Sequence, residues 1–538
     1  MRSPAPELPG AAAARLLAFA LLSVILAGAH ADTLSDLAER LDPAQEVVEV
    51  DGVRLHDAEA VRRFYRRRDF RPAWTGPACQ ADMERLIGFI DTADSHGLEP
   101  EDYHLETLRD PVRCEADREI LATDAWLALG AHLHGGRLDP INVEPNWTAI
   151  RPDIDLVEQL EAALDAVDVD GALERLAPSQ PFYAALREAL ARYRGYAAGG
   201  GWGSVDDGPL LRLGDEGPRV LQLRRRLEAG GLVEPVGDDG LGLTFDADLD
   251  AALRTFQRRA NLESDGVVGP QTLRQLNRGV DDRIAQIRVN LERWRWLPED
   301  LGERHIRVNI ADFRLEARAH GRVEREHAVI VGREYRQTPS FSARMTYVAL
   351  SPWWEVPVRL AVQDKLPLFR RDPGEIDRLG FEFVDASGQI VDPAGIDLAR
   401  LGRGYFPYRL RQQPGPQNAL GQVKLMFPNQ HHVYLHDTPS QGLFARVRRD
   451  FSSGCIRVED ALDLAEWVLA ATPGWDHARI DAAAGRGEET VVLLAQPIDV
   501  HLYYITAVPA PDGGVRFIDD LYGRDPAVLA ALDAPPTR

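Results

Sequence analysis

Residues 431–460 read HHVYLHDTPSQGLFARVRRDFSSGCIRVED, with His436 nineteen residues before Cys455. A thiol is a weak nucleophile and a thiolate a strong one, so a working cysteine needs a base or a positive charge beside it. His436 is the candidate base. Ser453 and Gly454, just before the cysteine, allow a tight turn that presents backbone N–H groups to a developing oxyanion. The bland alternative is that Cys455 is a buried small hydrophobe, as free cysteines often are. On a strand, residues two apart share a face. Tyr434 would therefore stand beside His436, and Arg457 beside Cys455, where its guanidinium could grip a substrate carboxylate as a fork. Arg446, Arg448 and Arg449 could add to that field, although a solvated loop face is the commoner meaning of such a run.

The pattern His436, Ser452-Ser453-Gly454-Cys455, Ile456, Arg457 resembles the signature of the L,D-transpeptidases, bacterial cell-wall enzymes with a cysteine nucleophile on a mostly β domain. YLHDTP before the cysteine and CIRVED after it are similar to the large periplasmic subgroup, in which an Asp, here Asp437, replaces the glycine that follows the histidine in shorter members. The resemblance implies Cys455 as nucleophile, His436 as base, and a backbone carbonyl to orient the histidine, leaving Asp437 to local turn structure. The N–H groups of Gly454 and Cys455 are the expected oxyanion donors. Tyr434, Arg457 and Trp353 are the expected substrate contacts, since Trp353 and Trp354 sit where the family places an aromatic wall.

Working outward, RHIRVNI, FRLEARAH, EHAVIVG and MTYVALS alternate apolar and polar residues at period two, with turns such as Ala319-His320-Gly321 between them. A β-rich catalytic domain is expected over 281–510, led by the helix DDRIAQIRVNLERWRWL. The stretch 356–425, rich in Pro, Gly and Arg, interrupts the strands and is expected to cap the site. A helix over 460–471 follows the cysteine; PIDVHLYYITAV and the stretch to Tyr522 are expected to add a strand and a finishing hairpin, and 511–538 is expected as a C-terminal tail with disordered last residues.

Residues 209–277 form a small helical module, with Val220, Leu223 and Leu227 on one face and Leu249, Leu253 and Phe256 on another. Its ending, Asp265, Gly266, Gly269 and Thr272, resembles the peptidoglycan-binding-like module, which in some proteins is only a spacer. The glycine-rich AAGGGWGS, 197–204, marks a linker before it. Residues 32–200 show helical periodicity, and HGLEPEDYHL with HGGRLDP resembles the helical scaffold domain of the large L,D-transpeptidases. The fold class expected is multidomain α+β: helical scaffold, small helical module, and mostly β catalytic domain with a capping insertion.

Residues 1–31 combine Arg2 and Arg15, an apolar run and Ala29-His30-Ala31, the marks of a secretory signal peptide. The run is short for a membrane span. A periplasmic protein is expected, with an uncleaved inner-membrane anchor as the alternative. Net charge is −22, which argues against a nucleic-acid partner. Only two lysines occur, Lys365 and Lys424. Of three cysteines, Cys79 and Cys114 lie in one helical region and Cys455 far from both; a Cys79–Cys114 disulfide leaves Cys455 free, and two unpaired buried cysteines are the other partition. No Cys/His spacing suggests a metal site, and no cofactor is expected.

The function expected from the resemblance is 3→3 cross-linking of peptidoglycan, or attachment of another amine, through a Cys455 acyl-enzyme that releases D-Ala. Tetrapeptide stems would be donor and acceptor, with cell-wall synthesis proteins as further partners and carbapenems as covalent inhibitors. A non-catalytic wall-binding scaffold, or a cysteine peptidase hydrolysing the same bond, are the alternatives. A papain-like enzyme is disfavoured because there the cysteine usually precedes the histidine.

Overall fold

The computed structural model describes residues 34–41, 49–50, 52–75, 79–110, 114–148, 153–235, 241–510 and 513–536; the expected signal segment lies outside them. Eight strands close a barrel, numbered here in chain order: β1 Arg304–Asn309, β2 Arg314–Ala319, β3 Arg322–Ile330, β4 Phe341–Leu350, β5 Val423–Met426, β6 Leu435–His436, β7 Ile456–Val458 and β8 Thr490–Tyr503. Around the barrel they run β5-β6-β7-β3-β2-β1-β8-β4 and back to β5. The β6–β7 and β8–β1 pairs are parallel and the rest antiparallel. Alternation does the sorting: Ile306, Val308, Leu315, Val329, Val348, Leu425, Leu435, Ile456, Val500 and Leu502 are all buried in one core. In β8 the register against β4 shifts between Leu493 and Ile498. Pro497 falls in that gap, and a residue without an N–H cannot extend a ladder.

The interruption between β4 and β5 is a subdomain with its own core. Strands Trp354–Val356, Arg409–Gln412, Phe381–Val384 and Ile390–Val391 form a four-stranded sheet in that order. Phe369, Ile376, Phe383 and Leu410 are among its buried residues. It begins two residues ahead of the expected 356 and gives way to β5 at Val423.

Scaffold helices and barrel share one hydrophobic core. Trp147 stacks edge-on against Trp296 at 5.2 Å, and Thr148 N–H donates to Ser340 O at 2.8 Å. The helical module keeps a separate core around Leu223, Phe245, Leu253 and Leu276. Inside it Gln257 holds the Asp265-Gly266 turn, donating to Asp265 and accepting from Gly266 N–H, both within 2.9 Å.

Two expectations change here. Residues 525–533 form a helix where only a tail was expected: Arg137 donates to the carbonyls of Ala531, Leu532 and Ala534, capping that helix's C-terminal end. Cys79 and Cys114 are both free thiols, Cys79 half-buried and Cys114 exposed. Each sits at the N-cap of a different helix, Gln80–Asp91 and Glu115–Gly135, and Arg40 lies 3.8 Å from the Cys114 sulfur.

The helix Val280–Arg295 buries a face that its sequence makes polar. Arg283, Gln286, Asn290, Glu292, Arg293 and Arg295 are all at most 4% exposed. Each is used: Asn290 exchanges two hydrogen bonds with Thr506, and Gln286 donates to the carbonyls of Thr506 and Ile518. Arg293 bridges Glu144 of the scaffold and Asp525 of the C-terminal helix, each at 2.6 Å. Removing one member of a buried ion cluster leaves the others uncompensated. Arg293→Met should therefore cost about 3–5 kcal/mol in a denaturant titration; a midpoint unchanged from the parent would mean that the cluster does not join the three regions.

Candidate active site

Leu435 on β6 pairs with Ile456 on β7, and both side chains are fully buried in the barrel. Period two then turns the flanking residues the other way: Tyr434 and His436 from one strand, Cys455 and Arg457 from the next. Lys424 on β5, in register with His436, joins that face. Tyr434, His436, Cys455 and Arg457 line a cavity of about 1040 Å³, with Trp354, Arg359 and Lys365 from the insertion on another wall.

The turn before the cysteine is fixed by its own polar groups. Gly454 has φ of +119°, which an L side chain rarely adopts. Ser452 Oγ donates to Cys455 O at 2.5 Å and accepts from Gly454 N–H at 3.1 Å. Thr338 Oγ1 donates to Gly454 O at 2.9 Å. One expectation is corrected by this: Gly454 N–H is occupied by Ser452 and is not an open oxyanion donor. The N–H of Cys455 has no hydrogen-bond partner among the described residues. Ser453 stays at the site, its Oγ accepting from Arg336 at 2.8 Å.

The thiol is half-buried and lies 3.8 Å from His432 O. Burial pushes its pKa up, while the backbone and side chain of Tyr434 and the charges of Lys424 and Arg457 pull it down. Tyr434 thus favours the thiolate, besides lining the cavity where a substrate contact was expected of it. Lys424 Nζ lies 4.3 Å from the centroid of the Tyr434 ring.

His436 Nδ1 lies 2.5 Å from Asp437 O. A carbonyl cannot donate, so Nδ1 carries the proton and Nε2 holds the lone pair. Burial first, then Arg457 and Lys424, push the imidazole down to about 3. The resting pair is accordingly a neutral thiol and a neutral imidazole. Asp437 serves the turn, its carboxylate accepting from Gln422 N–H at 2.8 Å and from Gln441 at 2.9 Å.

Trp353 is the other correction. Strand Trp354–Val356 buries Trp354 and Val356, so its alternation brings Trp354 to the cavity. Trp353 lies on the far side under Arg411, 4.3 Å from its ring centroid. Arg448 pairs with Asp450, and Arg449 donates to the carbonyls of Val329, Phe313 and Arg446. Neither lines the cavity.

Among the described residues one group has metal-ligand character, His56, His104 and Asp124 in the scaffold, with candidate atoms within 4.8 Å of one another. Both Nε2 atoms and both carboxylate oxygens are already engaged: His104 Nε2 with Asp124 at 2.8 Å, His56 Nε2 with Asp102 O at 2.8 Å, and Asp124 with the N–H groups of His56 and Asp57. Hydrogen bonding accounts for the cluster.

A half-buried thiol and a neutral imidazole thus face one cavity, with the inserted subdomain on its other wall, an arrangement that has the parts cysteine acyl transfer needs. Residues 303–477 match the L,D-transpeptidase catalytic domain, so the chain carries a catalytic domain of that cysteine transpeptidase family. Residues 59–190 match the scaffold domain, and 216–276 the family described as "Putative peptidoglycan binding domain". A Haemophilus influenzae protein named "Putative L,D-transpeptidase" is 36% identical over 246 residues, 46% of this chain and 49% of that protein. An N-acetylmuramoyl-L-alanine amidase of Mycobacterium tuberculosis is 39% identical over 77 residues, 13% of this chain and 19% of its own length. The matched regions thus span about half, or less, of the curated relatives. A solved L,D-transpeptidase from Xylanimonas cellulosilytica is 16% identical and covers 55% of this chain and 99% of its own, with a TM-score of 0.18. Among the described residues no helix is long and apolar enough to cross a membrane.

A neutral His436 has two consequences. Alkylation of Cys455 by iodoacetamide, followed by peptide mapping, should rise through one alkaline titration with no inflection between about pH 5 and 7, where an ordinary histidine titrates. An inflection there that disappears in His436→Gln would contradict the neutral pair. For stability, an imidazole held below its unfolded value favours the folded state fully above pH ~6.5 and loses that contribution as pH falls toward about 3. The parent should accordingly lose more stability than His436→Gln between pH ~7 and ~4.5 in thermal melts. Equal losses would argue against a buried, uncharged His436.

Proposed function

We propose that the protein is a peptidoglycan L,D-transpeptidase that forms 3→3 cross-links between tetrapeptide stems, working outside the cytoplasm. The observation that carries this reading is the Cys455 thiol on one strand face with the proton-accepting Nε2 of His436, in a cavity roomy enough for a branched peptide.

Cys455 Sγ attacks the carbonyl joining the third residue of the donor stem to its terminal D-Ala. Neutral His436 takes the thiol proton as the S–C bond forms, so charge separates only in the transition state. Cys455 N–H receives the developing oxyanion. The C–N bond then breaks, His436 returns the proton to the departing amine, and D-Ala leaves a thioester behind. An acceptor amine attacks the thioester, gives its proton to His436, and regenerates the thiol. Water competing with that amine would give hydrolysis at the same acyl-enzyme, which is how the peptidase reading enters. The helical module at 216–276 would hold the enzyme on the wall.

Purified full chain with disaccharide-tetrapeptides should yield dimers and free D-Ala by mass spectrometry. Folded Cys455→Ala should lose about 10³-fold or more, since the covalent step is gone. Dimer formation that persists in that variant would sink the nucleophile assignment, and no product from the parent would favour a wall-binding scaffold. A carbapenem should add once per chain, at Cys455; an adduct retained by Cys455→Ala would point to a different residue.

A further inference from the structure

The chain carries a net charge of −22, yet cations gather around its thiol. Its only two lysines, against 62 basic residues in all, both stand at this site. Lys424 lies over Tyr434 on the barrel face. Lys365 enters from the inserted subdomain, its Nζ 5.2 Å from the Trp354 ring centroid and 5.1 Å from that of Phe381, and it lines the cavity with Arg457. Lys365 and Arg457 are both half-buried, and no ion pair holds either among the described residues.

The acids of the cavity form no ion pair with them, although Asp364 is near enough to Lys365 to favour its charge in part. Asp364 is committed to Arg336 through bonds of 2.6 and 2.9 Å, and Glu334 is exposed. Burial chiefly, and also the charge of Arg457, hold Lys365 below an ordinary lysine against the pull of Asp364; burial and Arg333 do the same to Arg457 against that of Cys455. Two like charges at least half withdrawn from water and close enough to repel are costly unless an anion completes the set. The Trp354 and Phe381 rings hold the Lys365 ammonium in place, so the cation is ready before any ligand arrives.

We propose that Lys365 and Arg457 form a carboxylate-binding subsite, built across the seam between insertion and barrel, that takes a free carboxylate of the donor stem. The assignment of donor stem rests on the function proposed above; the carboxylate subsite itself does not. It gives the insertion a recognition role, since it supplies one of the two cations. A stem has two carboxylates in reach, the one at its terminal D-Ala and the one on the diamino acid at position three.

Two measurements on the full chain test this. The first compares iodoacetate with iodoacetamide on Cys455, by peptide mapping and relative to the same ratio on a free small-molecule thiol. The carboxylate reagent should be favoured about tenfold, the preference should vanish in Lys365→Met, and it should survive in Lys365→Arg. A parent ratio equal to that of the small thiol, or one unaffected by Lys365→Met, would overturn the subsite. Because alkylation needs only the sulfur, this result stands whether or not the chain transfers acyl groups. Melting curves of both variants check that the fold is intact, and Arg457→Gln offers an independent route if Lys365→Met does not fold. The second compares donor stems amidated at the terminal carboxylate or at the diamino acid. One amide should lower kcat/KM about tenfold in the parent and not in Lys365→Met. Which of the two does so names the carboxylate; if neither does, the subsite does not serve the donor stem.

Discussion

The site depends on one strand register. Pairing Leu435 with Ile456 in parallel sinks two aliphatic side chains into the barrel and leaves Tyr434, His436, Cys455 and Arg457 together on the opposite face. A slip of one residue would exchange those sets, burying a histidine and an arginine and presenting leucine to the substrate. Short strands cannot hold a register by ladder alone, and these have only two and three residues. The neighbours supply the rest. Ser452 N–H donates to Val331 O and Arg333 N–H to Ser452 O, which pins the turn to the end of β3. At Gly332 an added Cβ would fall 2.1 Å from Arg336 O, so the loop closes only with glycine there. Tyr522, from the C-terminal segment, donates to Gly332 O at 2.6 Å. The terminal helix and its preceding turn thereby become part of the support for the nucleophile.

Electrostatics at the site are arranged around neutrality in the resting state and charge in the transition state. A buried histidine with Arg457 and Lys424 near it resists protonation, so it is available as a base across the neutral and mildly acidic range. The same cations favour the thiolate that the base would create. These half-buried cations therefore act twice, once by helping to keep the imidazole free and once by stabilising the sulfur's charge. This differs from a preformed thiolate–imidazolium pair, in which the nucleophile is charged before substrate binds.

Much of this could be read in the chain. The spacing of His436 and Cys455, the period-two strands and the helical module's ending Asp265, Gly266, Gly269 and Thr272 are local signals, and locality is what a sequence displays. The failures share a cause. Trp353 and Trp354 are adjacent, and only the phase of a three-residue strand decides which one faces the cavity. Gly454 N–H looked available because its partner, Ser452 Oγ, is committed by a turn geometry that the sequence does not reveal. The helix Val280–Arg295 is rich in arginine, so nothing in its pattern announces burial; its partners Glu144, Thr506 and Asp525 are more than a hundred residues away. Trp147 and Trp296 likewise merge scaffold and barrel into one core through a contact between distant segments.

The central claim is that acyl groups pass through the sulfur of Cys455. It is tested most directly by trapping the intermediate. Full chain mixed with a tetrapeptide donor and no acceptor, quenched in acid within seconds, should gain the mass of the donor less D-Ala. The adduct should map to Cys455 and be released by hydroxylamine, as a thioester is. Release of D-Ala with the adduct on another residue, or with the sulfur shown to be unmodified at every time point, would contradict the account.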